Sequence, residues 1–340
     1  MPFLAFLHRA ASRENLTALD AQQAMELILS GQATTAQIAA FLIALRMKGE
    51  TPDEILGFAR AMRERSASVM PKLNGEALID TCGTGGDGQN TFNISTVTAF
   101  VVSGAGVKVA KHGNRSLASL CGSADIFEGL GINIALTPER TAESIREVGI
   151  GFLYAPAMHP AMKYAQAARS ELKMRTAFNL LGPLTNPAGA TVQLVGAPST
   201  AAAELMAEAL ASLGLQRGFV VHGSGGLDEI STTGESLVLE IQRGAIAHHT
   251  LTPQDFGVKT AKMADLRGGG LDENLAIARA ILDGEAGPKR DIVLVNASAA
   301  LVAAGKAANF VEGVELAAES IDSGRAREKV EQMARFSQVV

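Results

Sequence analysis

Residues 77–123 read ALIDTCGTGGDGQNTFNISTVTAFVVSGAGVKVAKHGNRSLASLCGS, and this stretch decides the fold. The short apolar run Ala77-Leu78-Ile79-Asp80 reads as a buried strand. Gly83, Gly85, Gly86 and Gly88 follow it with Asp87 among them, and Thr91, Asn93, Ser95 and Thr96 form the polar mouth of a helix over 97–103. A second apolar run, 107–110, ends in the polar segment Lys111-His112-Gly113-Asn114-Arg115-Ser116. Two parallel strands thus deliver two polar loops to one sheet edge, where open α/β sheets bind ligands.

The chemistry of these loops points to phosphate. Glycines let backbone N–H groups approach an anion closely, and a helix N-terminus adds partial positive charge. Ser95 and Thr96 add hydroxyls, and Lys111 and Arg115 add full charges. The spacing Gly83-x-Gly85-x-x-Gly88 also fits a dinucleotide fingerprint, but that motif wants an acid about 20 residues on, and Lys111-His112 ends the second strand instead. No Gly-x-x-x-x-Gly-Lys-Ser/Thr string exists.

Gly83-Thr84-Gly85-Gly86-Asp87, Asn93-Ile94-Ser95-Thr96 and Lys111-His112-Gly113-Asn114 resemble the motifs of the anthranilate phosphoribosyltransferase family, and Arg175 to Pro187 (RTAFNLLGPLTNP) resembles another of its strings. The likeness runs along nearly all 340 residues. It implies transfer of phosphoribose from phosphoribosyl pyrophosphate to the amine of anthranilate, in tryptophan biosynthesis, with Mg²⁺. On the donor it places Gly83, Gly86, Asp87, Thr91, Asn93, Ile94, Ser95 and Thr96 from the first loop and helix mouth. From the second segment it places Lys111, His112, Gly113, Asn114, Arg115, Ser116, Ser119 and Ser123. Gly83, Asn114 and Arg169 are assigned to anthranilate, with His112 and His159 bordering that pocket, and Arg169 offers a planar donor fork for a carboxylate. Ser95, Asp228 and Glu229 are assigned to the metal; by themselves, adjacent acids in a glycine-rich turn read as solvated surface, and the family motif Gly-x-Asp-Glu makes them ligands.

One loop departs from the family. Where a hydroxyl, a lysine and a second hydroxyl are usual, this chain has Ala118, Leu120 and Cys121, so less charge is offered to pyrophosphate. Two alternatives were weighed. Pyrimidine nucleoside phosphorylases share the fold class but place Ser-Thr-Gly-Gly after Lys-His, whereas Gly113-Asn114-Arg115 stands here. A nucleic-acid-binding paralogue would carry a basic groove and a broken metal motif, and the sequence has neither.

Composition agrees with an enzyme of small molecules. Apolar content of 47% predicts a globular chain, and a net charge of −5 without a basic tract argues against nucleic acid as the main partner. Two cysteines, Cys82 and Cys121, make no disulfide framework and read as reduced thiols in a cytoplasmic setting. The opening MPFLAFLHRA lacks the basic leader and long apolar run of a signal peptide, and no run of about 18 apolar residues suggests a membrane span.

Along the chain, residues 1–70 read as helical. Ala21, Ala24, Met25 and Ile28 share one face, as do Ile38, Phe41, Leu42 and Leu45. Thr51-Pro52-Asp53-Glu54 offers a cap, a first-turn proline and a capping box for a third helix. These faces are expected to be core or, in part, a homodimer contact. Residues 71–76 read as a linker. Strands are expected at 132–135, 150–154, 192–195 and 218–222, a hairpin at 236–249, and helices between and after them. The expected fold is α/β: a small N-terminal helical domain (1–70, completed by helices from about 156–190) and a larger domain (76–155 and 191–340) around a mostly parallel sheet, the phosphoribosyltransferase and nucleoside phosphorylase topology.

Overall fold

Four helices open the chain: α1 (Phe3–Ala11), α2 (Ala18–Leu29), α3 (Thr35–Lys48) and α4 (Pro52–Glu64). The structure, a computed structural model, describes residues 2–116 and 120–338. The capping box read from the sequence is present at α4: Thr51 accepts from the Glu54 N–H at 3.3 Å, and Glu54 accepts from the Thr51 N–H at 2.9 Å. Glu54 is fully buried and also meets the Lys48 ammonium at 2.9 Å and the Leu16 N–H at 2.9 Å, so one side chain ties α4 to α3 and to the chain before α2. Helix α1 buries Phe3, Phe6 and Ala10, and its Phe3 ring packs edge-on against Phe41 of α3.

The α/β part follows in the order β1 (Leu78–Asp80), α5 (Ile94–Gly104), β2 (Lys108–Gly113), α6 (Ser123–Gly129), α7 (Pro138–Glu147) and β3 (Ile150–Tyr154). The next segment returns to the helical bundle as the short α8 (Ala155–Met158), α9 (Lys163–Leu172) and α10 (Phe178–Leu181). The sheet then resumes with β4 (Val192–Gly196), α11 (Thr200–Ser212), β5 (Arg217–Gly223), β6 (Ser236–Gln242) and β7 (Ala245–Leu251). Helices α12 (Leu271–Leu282), α13 (Pro288–Ala303), α14 (Phe310–Asp322) and α15 (Arg325–Gln338) close the chain.

The seven strands lie in the order β3-β2-β1-β4-β5-β6-β7. The first five run parallel, and β6 and β7 are antiparallel. The β6–β7 hairpin turns on Arg243 and Gly244, both at positive φ (51° and 85°), as a two-residue turn of primed type requires. Successive side chains of each strand face opposite layers. Ile79, Val109, Phe152, Leu194 and Phe219 join the core under α5, α13 and α14. Val195, Val220 and Leu239 join the core made by α11 and the helical bundle. That second core contains Ile28, Phe41, Ile55, Phe58, Ala165, Ala168 and Phe178 together, so the apolar faces of the first helices are covered within the chain by one another and by α9 to α11. Among the described residues no helix is long and apolar enough to cross a membrane.

Three expectations are corrected. Residues 132–135 form no strand: Ile132 and Ile134 are buried and alternate as a strand would, but the Ile132 N–H closes the turn after α6 on the Phe127 carbonyl, the Asn133 N–H donates to Ser337 Oγ and the Ala135 N–H donates to Asn133 Oδ1. Lys111, His112 and Gly113 are strand rather than loop, because β2 lies between β1 and β3 and pairs with β3 through Gly113. The helix expected from 97 begins at Ile94, so Ser95 and Thr96 lie in its first turn. Helix α15 went unread; its stripe of Ala326, Val330, Met333 and Ser337 is set in an otherwise charged sequence.

Candidate active site

All parallel strands end on one edge, and the strand order reverses direction between β1 and β4, the position where such sheets open a crevice. A cavity of about 300 Å³ lies there. The loop after β1, the first turn of α5, the ends of β2 and β3, α9, α10 and the loop after β5 line it. It therefore gathers Gly83, Gly86, Asp87, Thr91, Asn93, Ile94, Ser95 and Thr96 from the first loop, and Lys111 through Ser116 with Ser123 from the second. Arg169, Asp228 and Glu229 join them from segments distant in sequence. His159 is buried but does not line the cavity; it packs behind His112, ring centroids 5.1 Å apart. Ser119 lies outside the described residues.

The glycine loop is shaped around Asp228. A Cβ at Gly83 would sit 2.7 Å from Asp228 Oδ2, and one at Gly196 1.5 Å from the Asp228 carbonyl, so a side chain at either place would expel that acid. Asp228 Oδ2 accepts the Gly85 N–H at 2.7 Å. Burial first, then Asp87, pushes the Asp228 carboxyl up to about 6, and burial with Asp228 pushes Glu229 well above the usual carboxylate range. Three acids crowding one wall are held at a cost that a cation would relieve. Arg175, which opens the family-like string Arg175 to Pro187 but carries no site role in the sequence analysis, donates to the Gly85 carbonyl and lowers the Asp228 pKa in part, while Arg46 donates to the Arg175 carbonyl. This arginine thus bridges the helical bundle and the glycine loop.

Lys111 is buried, donates to the His112 carbonyl at 3.1 Å, and exerts its charge on Asp80, Cys82 and Glu229. Arg115 lines the cavity but is already engaged by Asp125 at 2.7 Å and Glu128 at 2.6 Å. The hydroxyls of Thr84 and Thr96 are buried with no hydrogen-bond partner among the described residues, and both residues line the cavity. They are ready donors for a ligand oxygen. Thr84 was missed because a lone threonine among glycines gives no signal of its own.

The other end of the cavity is of a different kind. His112 Nδ1 meets the Gly182 carbonyl at 3.0 Å, so Nδ1 carries the proton and Nε2 is a lone-pair acceptor with no partner among the described residues. Burial, then the neighbouring His159, lowers the His112 pKa to about 3, and burial lowers His159 to about 4. Both rings are neutral at physiological pH. Arg169 lies over the Phe178 ring, its Cζ 5.3 Å from the centroid, and no carboxylate pairs with it among the described residues.

One further cluster is excluded as a metal centre. Asp80, Cys82 and His112 each place a ligand-type atom within 4.8 Å of the others. Asp80 Oδ1 already accepts the His112 N–H at 3.2 Å and its Oδ2 accepts Asn186 Nδ2 at 2.7 Å. Burial pushes the Cys82 thiol up to about 12, and the Lys111 ammonium stands beside both. A cation would meet a thiol, occupied oxygens and a positive neighbour.

Comparison with known proteins matches both parts of the chain. Residues 4–66 match the helical bundle domain of the glycosyl transferase family, and residues 75–327 match its a/b domain. An anthranilate phosphoribosyltransferase from Solibacter usitatus is 63% identical over 337 residues, covering 99% of both chains. The crystal structure of anthranilate phosphoribosyltransferase from Thermus thermophilus superposes with a TM-score of 0.93 at 43% identity, over 98% of this chain and 99% of that one. The enzyme from Saccharomyces cerevisiae, solved in complex with PRPP and Mg, superposes with a TM-score of 0.91 at 29% identity over 99% and 98%. That yeast enzyme is also solved in complex with 4-fluoroanthranilate.

Proposed function

As a member of the anthranilate phosphoribosyltransferase family, the chain transfers phosphoribose from phosphoribosyl pyrophosphate to the amine of anthranilate in tryptophan biosynthesis, and we propose how its own residues divide that work. The glycine loop, the first turn of α5 and the end of β2 hold the donor; the end lined by Arg169 and His112 holds the acceptor. The observation that carries this is the juxtaposition in one cavity of an unpaired guanidinium with a glycine loop and an acidic wall.

Breaking the C1–pyrophosphate bond builds oxocarbenium character on the ribose and charge on the leaving group. The protein's task is alignment and charge neutralisation rather than strong base catalysis, since an arylamine is already a competent nucleophile. Lys111 and the glycine-loop backbone at Gly83 and Gly86 line the donor end, with Thr84, Ser95 and Thr96 adding hydroxyls. Arg169 takes the anthranilate carboxylate, and the unprotonated Nε2 of His112 is suited to accept an amine N–H. His159 acts through His112 by packing against it.

The donor set fits Mg²⁺. Asp228, Glu229 and Ser95 offer only oxygen, few enough that phosphate oxygens and water complete the shell, and the carboxyl pKa values, raised by burial first and by neighbouring acids second, mark negative charge that a divalent ion would offset. When bound, Mg²⁺ supplies neutralising charge to the departing pyrophosphate. A homodimer is proposed as well, through the apolar groove between α1, α3 and α9 where Ala40, Ile43, Ala44, Met47 and Leu172 remain accessible. Sedimentation at micromolar concentration should show the dimer, and a monomer alone would reject it. A cytoplasmic location suits Cys82, a buried free thiol.

The direct test is a steady-state assay with phosphoribosyl pyrophosphate, anthranilate and Mg²⁺, run beside phosphorolysis of thymidine and uridine. Formation of N-(5-phosphoribosyl)anthranilate without phosphorolysis is expected; the reverse pattern would place the chain among nucleoside phosphorylases.

A further inference from the structure

Asn274 lies on α12, 181 residues from Asn93 in sequence, and is only 3% exposed. It does not line the cavity. Its Oδ1 accepts the Gly269 N–H at 2.8 Å, and its Nδ2 donates to Asn93 Oδ1 at 3.1 Å. Asn93 Nδ2 then donates to the Cys121 carbonyl at 3.2 Å. Both ends of this chain are backbone groups with a fixed role: an N–H that can only donate and a carbonyl that can only accept. Neither carboxamide can flip without setting oxygen against oxygen or N–H against N–H. The direction of both amides is therefore settled by the fold. The Asn274 side chain also reaches the Cys121 thiol. A Cβ at Gly268 would lie 2.4 Å from Asn274 Oδ1 and 2.6 Å from the Phe92 Cα, so that glycine clears the space this arrangement needs.

We propose that Asn274 is a positioning residue of the donor site. It holds the Asn93 amide, and through it the backbone at Cys121, in the arrangement that receives phosphoribosyl pyrophosphate. The inference rests on the reading of this cavity as the donor site. Asn93 and Cys121 both line it, from the two loops that would flank the donor, and Asn274 is the third member that keeps them in register.

Asn274→Asp tests this with almost no change of shape. One carboxylate oxygen still accepts from Gly269, but the other now faces Asn93 Oδ1, and a flip of Asn93 only moves the conflict to the Cys121 carbonyl. Isothermal titration with phosphoribosyl pyrophosphate and Mg²⁺ should show binding weakened by roughly ten-fold, the scale of one buried acceptor left unpaired. The Michaelis constant for anthranilate should stay within about two-fold, since no acceptor-side group is touched. In an Asn93→Ala background the same substitution should add less than about two-fold, because its effect passes through Asn93. Should Asn274→Asp not fold, Asn274→Ala enters the same cycle with the same expectation. Equal losses for both substrates, or additive effects in the double mutant, would overturn the proposal. Wild-type protein that binds the donor yet does not convert anthranilate would remove the proposed function, and the binding cycle would still decide the role of Asn274. Wild type that does not bind the donor overturns both.

Discussion

The two ends of the cavity pay for their function in opposite ways. At the donor end, Asp87, Asp228 and Glu229 crowd together, and the Asp228 and Glu229 carboxyl pKa values are raised, first by burial and then by the neighbouring acids. At the end we assign to the acceptor, His112 and the His159 packed behind it are held neutral by burial, and Arg169 has no carboxylate partner among the described residues. The donor end is thus built around excess negative charge awaiting cations. The end we assign to the acceptor sets the neutral His112 imidazole beside the Arg169 guanidinium. The contrast matches the ligands: a polyanion carrying its own metal on one side, a flat aromatic acid on the other.

Removing the acidic wall should have the largest effect. Asp228→Asn with Glu229→Gln is expected to cut turnover by orders of magnitude while leaving the fold intact, because the leaving pyrophosphate loses its neutralising site. Wild-type rates in excess chelator would show that the acids serve something else. Next in size is Arg169→Ala. Loss of a hydrogen bond to a charged group costs roughly 1.5–3 kcal/mol, so the Michaelis constant for anthranilate should rise about ten- to a hundred-fold with the donor constant nearly unchanged. Equal effects on both substrates would erase the distinction between the two ends.

The pKa shifts give the ends opposite pH signatures. Asp228 has a folded pKa of about 6 against an ordinary 3.8, so the native state binds more protons there and stability falls as pH rises across that window. His112 drops from 6.5 to about 3, so the unfolded state takes the proton first and stability falls as pH is lowered across that range. Asp228→Asn should therefore melt higher than wild type in metal-free buffer at pH 8, by a few degrees, for a gain on the order of 2 kcal/mol. The advantage should vanish below pH 4, and Mg²⁺ should stabilise wild type but not the variant. A variant that melts no higher at pH 8 would show that the crowded acids carry no strain.

Legibility followed the range of the interactions. The Thr51–Glu54 capping box spans three residues and was readable as letters; so were the glycine loop and the runs that became β1, β4 and β5. The alternation at Ile132 and Ile134 was equally visible and misled, because a strand needs a neighbour and none is beside it. Asn274 gave no sign of its tie to the cavity, since Asn93 is 181 positions away. His159 could be placed near the acceptor but not behind His112, a distinction set by how the segment after β3 folds back.

The smallest expected effect concerns the loop that departs from the family. Leu120 is 74% exposed and does not line the cavity, whereas Cys121 does. Arg115 is spent on Asp125 and Glu128, so the second loop contributes little unmatched positive charge at this corner. Leu120→Lys with Cys121→Ser should tighten donor binding, because a lysine at the loop adds a favourable field for pyrophosphate. The exposure that leaves room for the ammonium also lets water screen it, so the gain should be at most about 1 kcal/mol. It should shrink as salt is raised, since the Debye length falls from about 10 Å at 0.1 M to about 3 Å at 1 M. Isothermal titration of both proteins with phosphoribosyl pyrophosphate, at low and at high salt, separates charge from packing. A gain that persists in salt would assign the change to Cys121→Ser beside Asn274. Unchanged or weaker binding at low salt would make Leu120 a solvent-facing residue with no part in the donor end.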